Sequence, residues 1–166
     1  MIINTTKNWL PVIFLISVMA PVSMLWGQNT YVPDDNFEQA LIDLDYDDTL
    51  DDYVLTANIS GVTSLDVSEK EISDLTGIED FTVLTSLVCS YNELTSLDIS
   101  SNTALITLYG SGNQLTTLDV SANTALINLY SSDNQLTYLN MRNGITEQLI
   151  VFHENYNSNL TCIEVL

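Results

Sequence analysis

Apolar positions recur along this chain at a fixed step. Leu84-Thr85-Ser86-Leu87 returns as Leu105-Ile106-Thr107-Leu108 and again as Leu126-Ile127-Asn128-Leu129, 21 residues apart each time. Leu94, Leu115 and Leu136 keep the step, as do Leu97, Leu118 and Leu139, and so do the polar Asn92, Asn113 and Asn134. Around each middle leucine the apolar and polar positions alternate, the period-two pattern of a strand with one buried face. A unit this short cannot enclose a core alone, so it buries its apolar side against its neighbours and the pattern predicts a solenoid of parallel strands. Val62-Thr63-Ser64-Leu65 stands 22 residues before Leu84, and Leu149 and Phe152 take the places of Leu126 and Leu129 at a step of 23. Five coils are expected, starting near Val62, Leu84, Leu105, Leu126 and Leu149.

Upstream the period changes. Phe37, Ala40, Leu41 and Leu44 follow Asp34, Asp35 and Asn36 at helical spacing, with Glu38 and Asp43 on the other side. The acidic and amide residues after Pro33 offer capping side chains, so residues 34–44 are expected to form one amphipathic helix. The first coil of a solenoid exposes its core, and Phe37, Ala40 and Leu41 are the face expected to cover it. Residues 28–58 are thus read as an acidic helical cap and residues 59–166 as the solenoid.

The first 27 residues have another character. Lys7 is followed by an uncharged run from Trp9 to Trp26, with a small residue, Gly27, before a polar sequence. This is the pattern of a secretory signal peptide, so residues 1–27 are expected to be removed on export, leaving no membrane insertion. The full chain carries a net charge of −19. Every one of its 22 acidic residues lies beyond residue 27, where Lys70 and Arg142 are the remaining bases, leaving −20. A surface so anionic repels phosphate backbones, which excludes nucleic acid as a partner. Cys89 and Cys162 lie about three coils, or roughly 15 Å, apart. A disulfide needs its Cα atoms within about 7 Å, so both thiols are expected to be free.

The residues of the repeat carry a family resemblance. Leu105-Ile-Thr-Leu-Tyr-Gly-Ser-Gly-Asn113-Gln-Leu115 resembles the leucine-rich repeat signature LxxLxLxxNxL, and Leu94-Thr-Ser-Leu97-Asp-Ile99-Ser-Ser-Asn102 fits it again. The doubled pattern resembles the nested bacterial class, in which LxxLxCxxNxL alternates with LxxLDLxxN. With the leader and Val32-Pro-Asp-Asp-Asn-Phe37, the chain is similar to exported leucine-rich proteins of Bacteroidota. The resemblance implies a mainly β solenoid acting outside the cytoplasm, in the periplasm, at the cell surface or beyond the cell.

Three surfaces are candidates for function. Asn92, Asn113 and Asn134 fall where the chain turns and are assigned a structural role, pairing buried backbone groups. The inward position two residues beyond the middle leucine is small: Cys89, Gly110, Ser131. Alternation turns Thr107 with Tyr109, and Asn128 with Tyr130, outward on neighbouring strands, with Tyr91 displaced toward one edge. Such an aromatic and amide face suits a protein or glycan ligand. The second half-signature sets Asp98 over Asp119, with Asn140 next and Ser96, Ser100, Thr117 and Ser121 as donors. Local backbone capping is the preferred role for these aspartates, and a shared calcium ion the alternative. Asp45, Asp47 and Asp48 lie in the densest acidic run, which lacks the glycine and terminal glutamate of an EF-hand loop.

No glycine-rich phosphate loop and no metal-ligand spacing occurs. His153 is expected on the surface, with no marked nucleophile near it. The sequence therefore supports a monomeric, non-catalytic module that binds protein or glycan, with no cofactor. The alternatives are a structural, cation-stabilised surface component and a fragment of a larger leucine-rich adhesin.

Overall fold

The computed structural model describes residues 27–144, 151–153 and 156–165; of residues 151–153 the backbone is described. Residues 1–26, which hold nearly all of the expected signal peptide, Leu149 and the side chain of His153 lie outside the described residues.

Five short strands, β3 (Ser64–Asp66), β4 (Ser86–Val88), β5 (Thr107–Tyr109), β7 (Asn128–Tyr130) and β9 (Val151–His153), form one parallel sheet in that order. On the other side of the coil β6 (Thr117–Asp119), β8 (Tyr138–Asn140) and β10 (Cys162–Glu164) form a second parallel sheet. The registers keep the sequence steps: Leu65 pairs with Leu87, Leu87 with Leu108, and Leu108 with Leu129. Phe152 follows Leu129 despite the longer step. Between the sheets runs a column of leucines, with Leu84, Leu94, Leu105, Leu115, Leu126 and Leu136 fully buried. The chain is a mainly β leucine-rich repeat solenoid. Each fully buried leucine contributes about 1.5–3 kcal/mol by leaving water.

Asparagines bind one coil to the next. The Asn92 Oδ1 accepts from Lys70 N (3.0 Å) and Ile72 N (3.1 Å), while its Nδ2 donates to the carbonyls of Val67 (2.8 Å) and Cys89 (3.1 Å). Asn113 and Asn134 repeat the pattern on Leu94 N and Leu115 N, and Asn157 closes it on Leu136 N. Lys70 stands where later coils carry asparagine, but the first coil loses no hydrogen bond, since each amide reaches back to the preceding coil. Freed from that role, the Lys70 ammonium lies 3.1 Å from Asp43. A second column runs along the other side of the coil. Asn102 Nδ2 donates to the carbonyls of Ile78 and Phe81, and Asn123 Nδ2 to those of Ile99 and Asn102. Sequence reading left this second column without a role.

The N-terminal end is sealed by helix α1 (Asp35–Asp43), whose Phe37, Ala40 and Leu41 are buried against the first coil. Asp34 anchors it at both ends of one carboxylate. Oδ1 caps the helix on Asn36 N and Phe37 N (both 3.0 Å), and Oδ2 accepts from Ser73 N (2.9 Å), Ser73 Oγ (2.8 Å) and Asp74 N (3.0 Å). The cap also holds an antiparallel pair that the sequence pattern did not reveal, β1 (Asn29–Tyr31) against β2 (Tyr53–Leu55), with the short helix α2 (Thr56–Ile59) following. One expectation is corrected here: Glu38 is not on a solvated face but wholly buried. Its carboxylate accepts from Asp51 N, Asp52 N and Tyr53 N at 3.0–3.1 Å, so it folds the acidic loop inward over the helix. The backbone donors compensate the desolvation of its charge.

Two substitutions test this packing by urea denaturation. Asn113→Ala orphans Leu94 N and takes one of two amide donors from the Cys89 carbonyl, and is expected to cost about 1–3 kcal/mol. A methyl group at Gly110 would meet Tyr130 O at 3.8 Å and Cys89 Sγ at 4.0 Å, both ordinary contacts. Gly110→Ala is therefore expected to stabilise the fold by about 0.4–1 kcal/mol, through the entropy of the unfolded chain.

Candidate recognition surface

The outward side of the five-stranded sheet is built by alternation around the buried leucines. Thr107 pairs with Asn128 and Tyr109 with Tyr130 across β5 and β7. At the parallel-strand spacing the two phenol rings meet face to face, with centroids 4.4 Å apart and planes 10° from parallel. Asn128 Nδ2 donates to Thr107 Oγ1 at 3.1 Å, which fixes the polar partners beside the rings. All four side chains are half-buried. Burial first, then the neighbouring Tyr109, raises the Tyr130 phenol above its ordinary range. Tyr91 stands apart at the C-terminal edge of the sheet and is 61 % exposed.

Tyr156, 80 % exposed, is a residue the sequence reading passed over. The signal was present: Tyr156 precedes Asn157 as Tyr91 precedes Asn92. A second aromatic pair, the exposed Tyr31 with Tyr53, lies on the antiparallel β1–β2 pair with centroids 5.4 Å apart.

The acidic candidates do not share one place. Asp98 and Asp119 lie on the second side of the coil, where Ser100 N and Ser121 N donate to them at 3.0 and 2.8 Å. Asn140 Nδ2 donates to Asp119 at 3.1 Å. The hydroxyl and then the backbone of Ser100 hold the Asp98 carboxyl below its ordinary value, and Ser121 does the same for Asp119. Asp45, Asp47 and Asp48 lie at the cap, beside Tyr46, Leu55 and Asn58. Burial first, then the charges of Glu38, Asp51 and Asp48, raises the Asp47 carboxyl. Among the described residues no group of three or more His, Cys, Asp or Glu side chains is arranged to hold a metal ion. Cys89 is buried, which pushes its thiol up to about 12, and its Sγ lies 3.4 Å from the Tyr109 carbonyl. Cys162 is exposed, and both thiols are free. No described helix is long and apolar enough to cross a membrane.

Stacked parallel strands, asparagine-bound turns and an open sheet face define a leucine-rich repeat protein. Comparison with known proteins bears on which ones it is like. No protein-family model matches the chain. A segment of 78 residues is 42 % identical to internalin J of Listeria monocytogenes, covering 45 % of this chain and 8 % of that protein. The solved functional domain of that internalin, which includes a cysteine ladder, is similar at 34 % identity with a TM-score of 0.67. That match covers 81 % of this chain and 32 % of the solved one. The structure of internalin InlF from the same organism shares the fold at 19 % identity and a TM-score of 0.58, over 81 % of this chain and 44 % of that one. The chain thus spans less than half the length of each of these relatives.

The shifted carboxylates give a testable acid profile. Burial alone would raise Asp34, but the hydrogen bonds from Ser73, Phe37 and Asp74 lower it. For Asp34, Asp98 and Asp119 the folded value lies below the unfolded one, so their contribution is full above about pH 4 and is lost as the pH falls through the folded values. Asp47 has the opposite sign: its charge disfavours folding, and protonation relieves that as the pH falls toward about 4. The melting midpoint of Asp47→Asn is expected to exceed that of the parent at pH 7. The double variant Asp98→Asn, Asp119→Asn is expected to lose less stability than the parent between about pH 4 and pH 2.

Proposed function

We propose that this chain is a non-catalytic module that recognises a protein on the outward face of its five-stranded sheet, outside the cytoplasm. The Tyr109–Tyr130 stack carries the reading. A flat, rigid aromatic centre flanked by hydrogen-bonding Thr107 and Asn128 is the composition of a protein-binding hot spot. The stack favours protein over glycan. A sugar ring packs on an open aromatic face, whereas these two phenols, at 4.4 Å and 10°, cover each other and offer edges and hydroxyls. Similarity to internalin J supports a binding module in general, and the N-terminal run from Trp9 to Gly27 supports export. Asp98 and Asp119, tied to local serines, act as structural caps in this reading, and no catalytic group is assigned.

The test uses the double variant Tyr109→Ala, Tyr130→Ala as bait in envelope extracts. Loss of the partners captured by the parent, with the circular dichroism spectrum retained, is the expected outcome. Capture of the same proteins by bait and parent would place recognition elsewhere. Capture of polysaccharide in place of protein would favour the glycan reading.

A further inference from the structure

Each coil passes through a left-handed backbone position one residue before its ladder site: Glu69 (φ 56°), Tyr91 (57°), Gly112 (70°), Asp133 (53°) and Tyr156 (63°). The structure enforces this geometry. The N–H groups of Glu69, Tyr91 and Gly112 donate to the carbonyls of Ser90, Ser111 and Ser132 on the following coil, while the ladder asparagine takes the next turn of chain. Glycine or asparagine suits such a position, and a bulky aromatic does not. Yet the side chains here are two carboxylates and two tyrosines, with glycine in the middle coil alone. The Tyr91 ring lies across Gly112, where an added Cβ would come within 2.6 Å of it. Glu69 and Asp133 are exposed, as are Tyr91 and Tyr156, among the most exposed apolar side chains described. The strained backbone turns these four side chains outward; Tyr91 covers Gly112 with one part of its ring and still leaves most of its surface in solvent.

We propose that this column is the docking edge for an extended lysine- or arginine-bearing segment of the protein partner. The inference rests on the protein-recognition reading above and names the chemistry of that partner. At the spacing of neighbouring parallel strands the column runs for about 19 Å, the length of about six extended residues. Along it acid and aromatic alternate: Glu69, Tyr91, then Asp133, Tyr156. Carboxylates take the charged heads, and tyrosine faces take cations and their aliphatic stems. Among the described residues every lysine and arginine has an acidic partner. Beyond residue 27 the bases are Lys70, held by Asp43 at 3.1 Å, and Arg142, held by Glu164 at 3.1 Å at the second sheet.

The probe is a fluorescent hexapeptide of alternating lysine and threonine, titrated by anisotropy at low salt, with a glutamate–threonine hexapeptide as control. The parent is expected to bind the first and not the second. The double variant Tyr91→Asn, Tyr156→Asn leaves the net charge unchanged and is expected to bind about ten-fold more weakly. Its melting midpoint is expected to equal or exceed the parent's, because asparagine adopts the left-handed position more readily than tyrosine. Asp133→Asn should weaken binding and Asp98→Asn, the same charge change on the other side of the coil, should not. Unchanged affinity in the tyrosine variant, equal weakening by both aspartate variants, or a lowered midpoint would each overturn the proposal. These outcomes are separable from failure of the sheet-face reading. If Tyr109→Ala, Tyr130→Ala keeps its envelope partners while Tyr91→Asn, Tyr156→Asn loses the peptide, the sheet face falls and the edge stands. The reverse pair of results removes the edge and keeps the face.

Discussion

Buried backbone that turns must find hydrogen-bond partners, and in this molecule asparagine side chains supply them. A solenoid coil changes direction within a few residues, leaving N–H and C=O groups facing the interior with no strand to pair with. An unpaired buried group costs about 1–3 kcal/mol, and each turn would leave several. Asn92 settles four of them with one amide, drawing on both its own coil and the preceding one. Because every ladder asparagine reaches backward, the unit of stability is the pair of coils. Leucine burial supplies the driving force, and the amides fix the stacking register at which those leucines meet.

The surface follows from that register. Once coil is locked to coil at a constant step, whatever residue follows or precedes a middle leucine is copied as a column on the outside. Tyr109 stacks on Tyr130 because Leu108 is in register with Leu129. Asp98 and Asp119 belong to another column and another side of the coil, and their carboxylates are engaged with Ser100 and Ser121. The tyrosine and aspartate columns are therefore independent surfaces of one scaffold. That independence lets a recognition face vary while the ladder and core stay constant.

Much of this was legible in the sequence, for a physical reason. A repeat states its own contacts: residues one period apart are neighbours, so pairs such as Tyr109 with Tyr130 can be read directly. The cap was less legible because it has no repeat. Its helix showed in the spacing of Phe37, Ala40 and Leu41, but Glu38 read as a solvated acid. Burial of that carboxylate depends on three backbone N–H groups supplied by the loop 13 to 15 residues later, which no local pattern records. The β1–β2 pairing escaped for the same reason, its strands being three residues each and separated by a helix. Lys70 occupies the asparagine column, yet Asn92 bonds the backbone of its coil, because the direction in which the amides reach is a property of the coil in space.

Native-state hydrogen exchange on the amides of Ile72, Leu94, Leu115 and Leu136 tests the ladder most directly, since each donates to a ladder asparagine. If the asparagines bind coil to coil, these four amides exchange among the slowest in the chain, at rates set by unfolding of adjoining coils together. Exchange as fast as that of exposed loop amides, with the strand amides of β4, β5 and β7 still protected, would contradict the account.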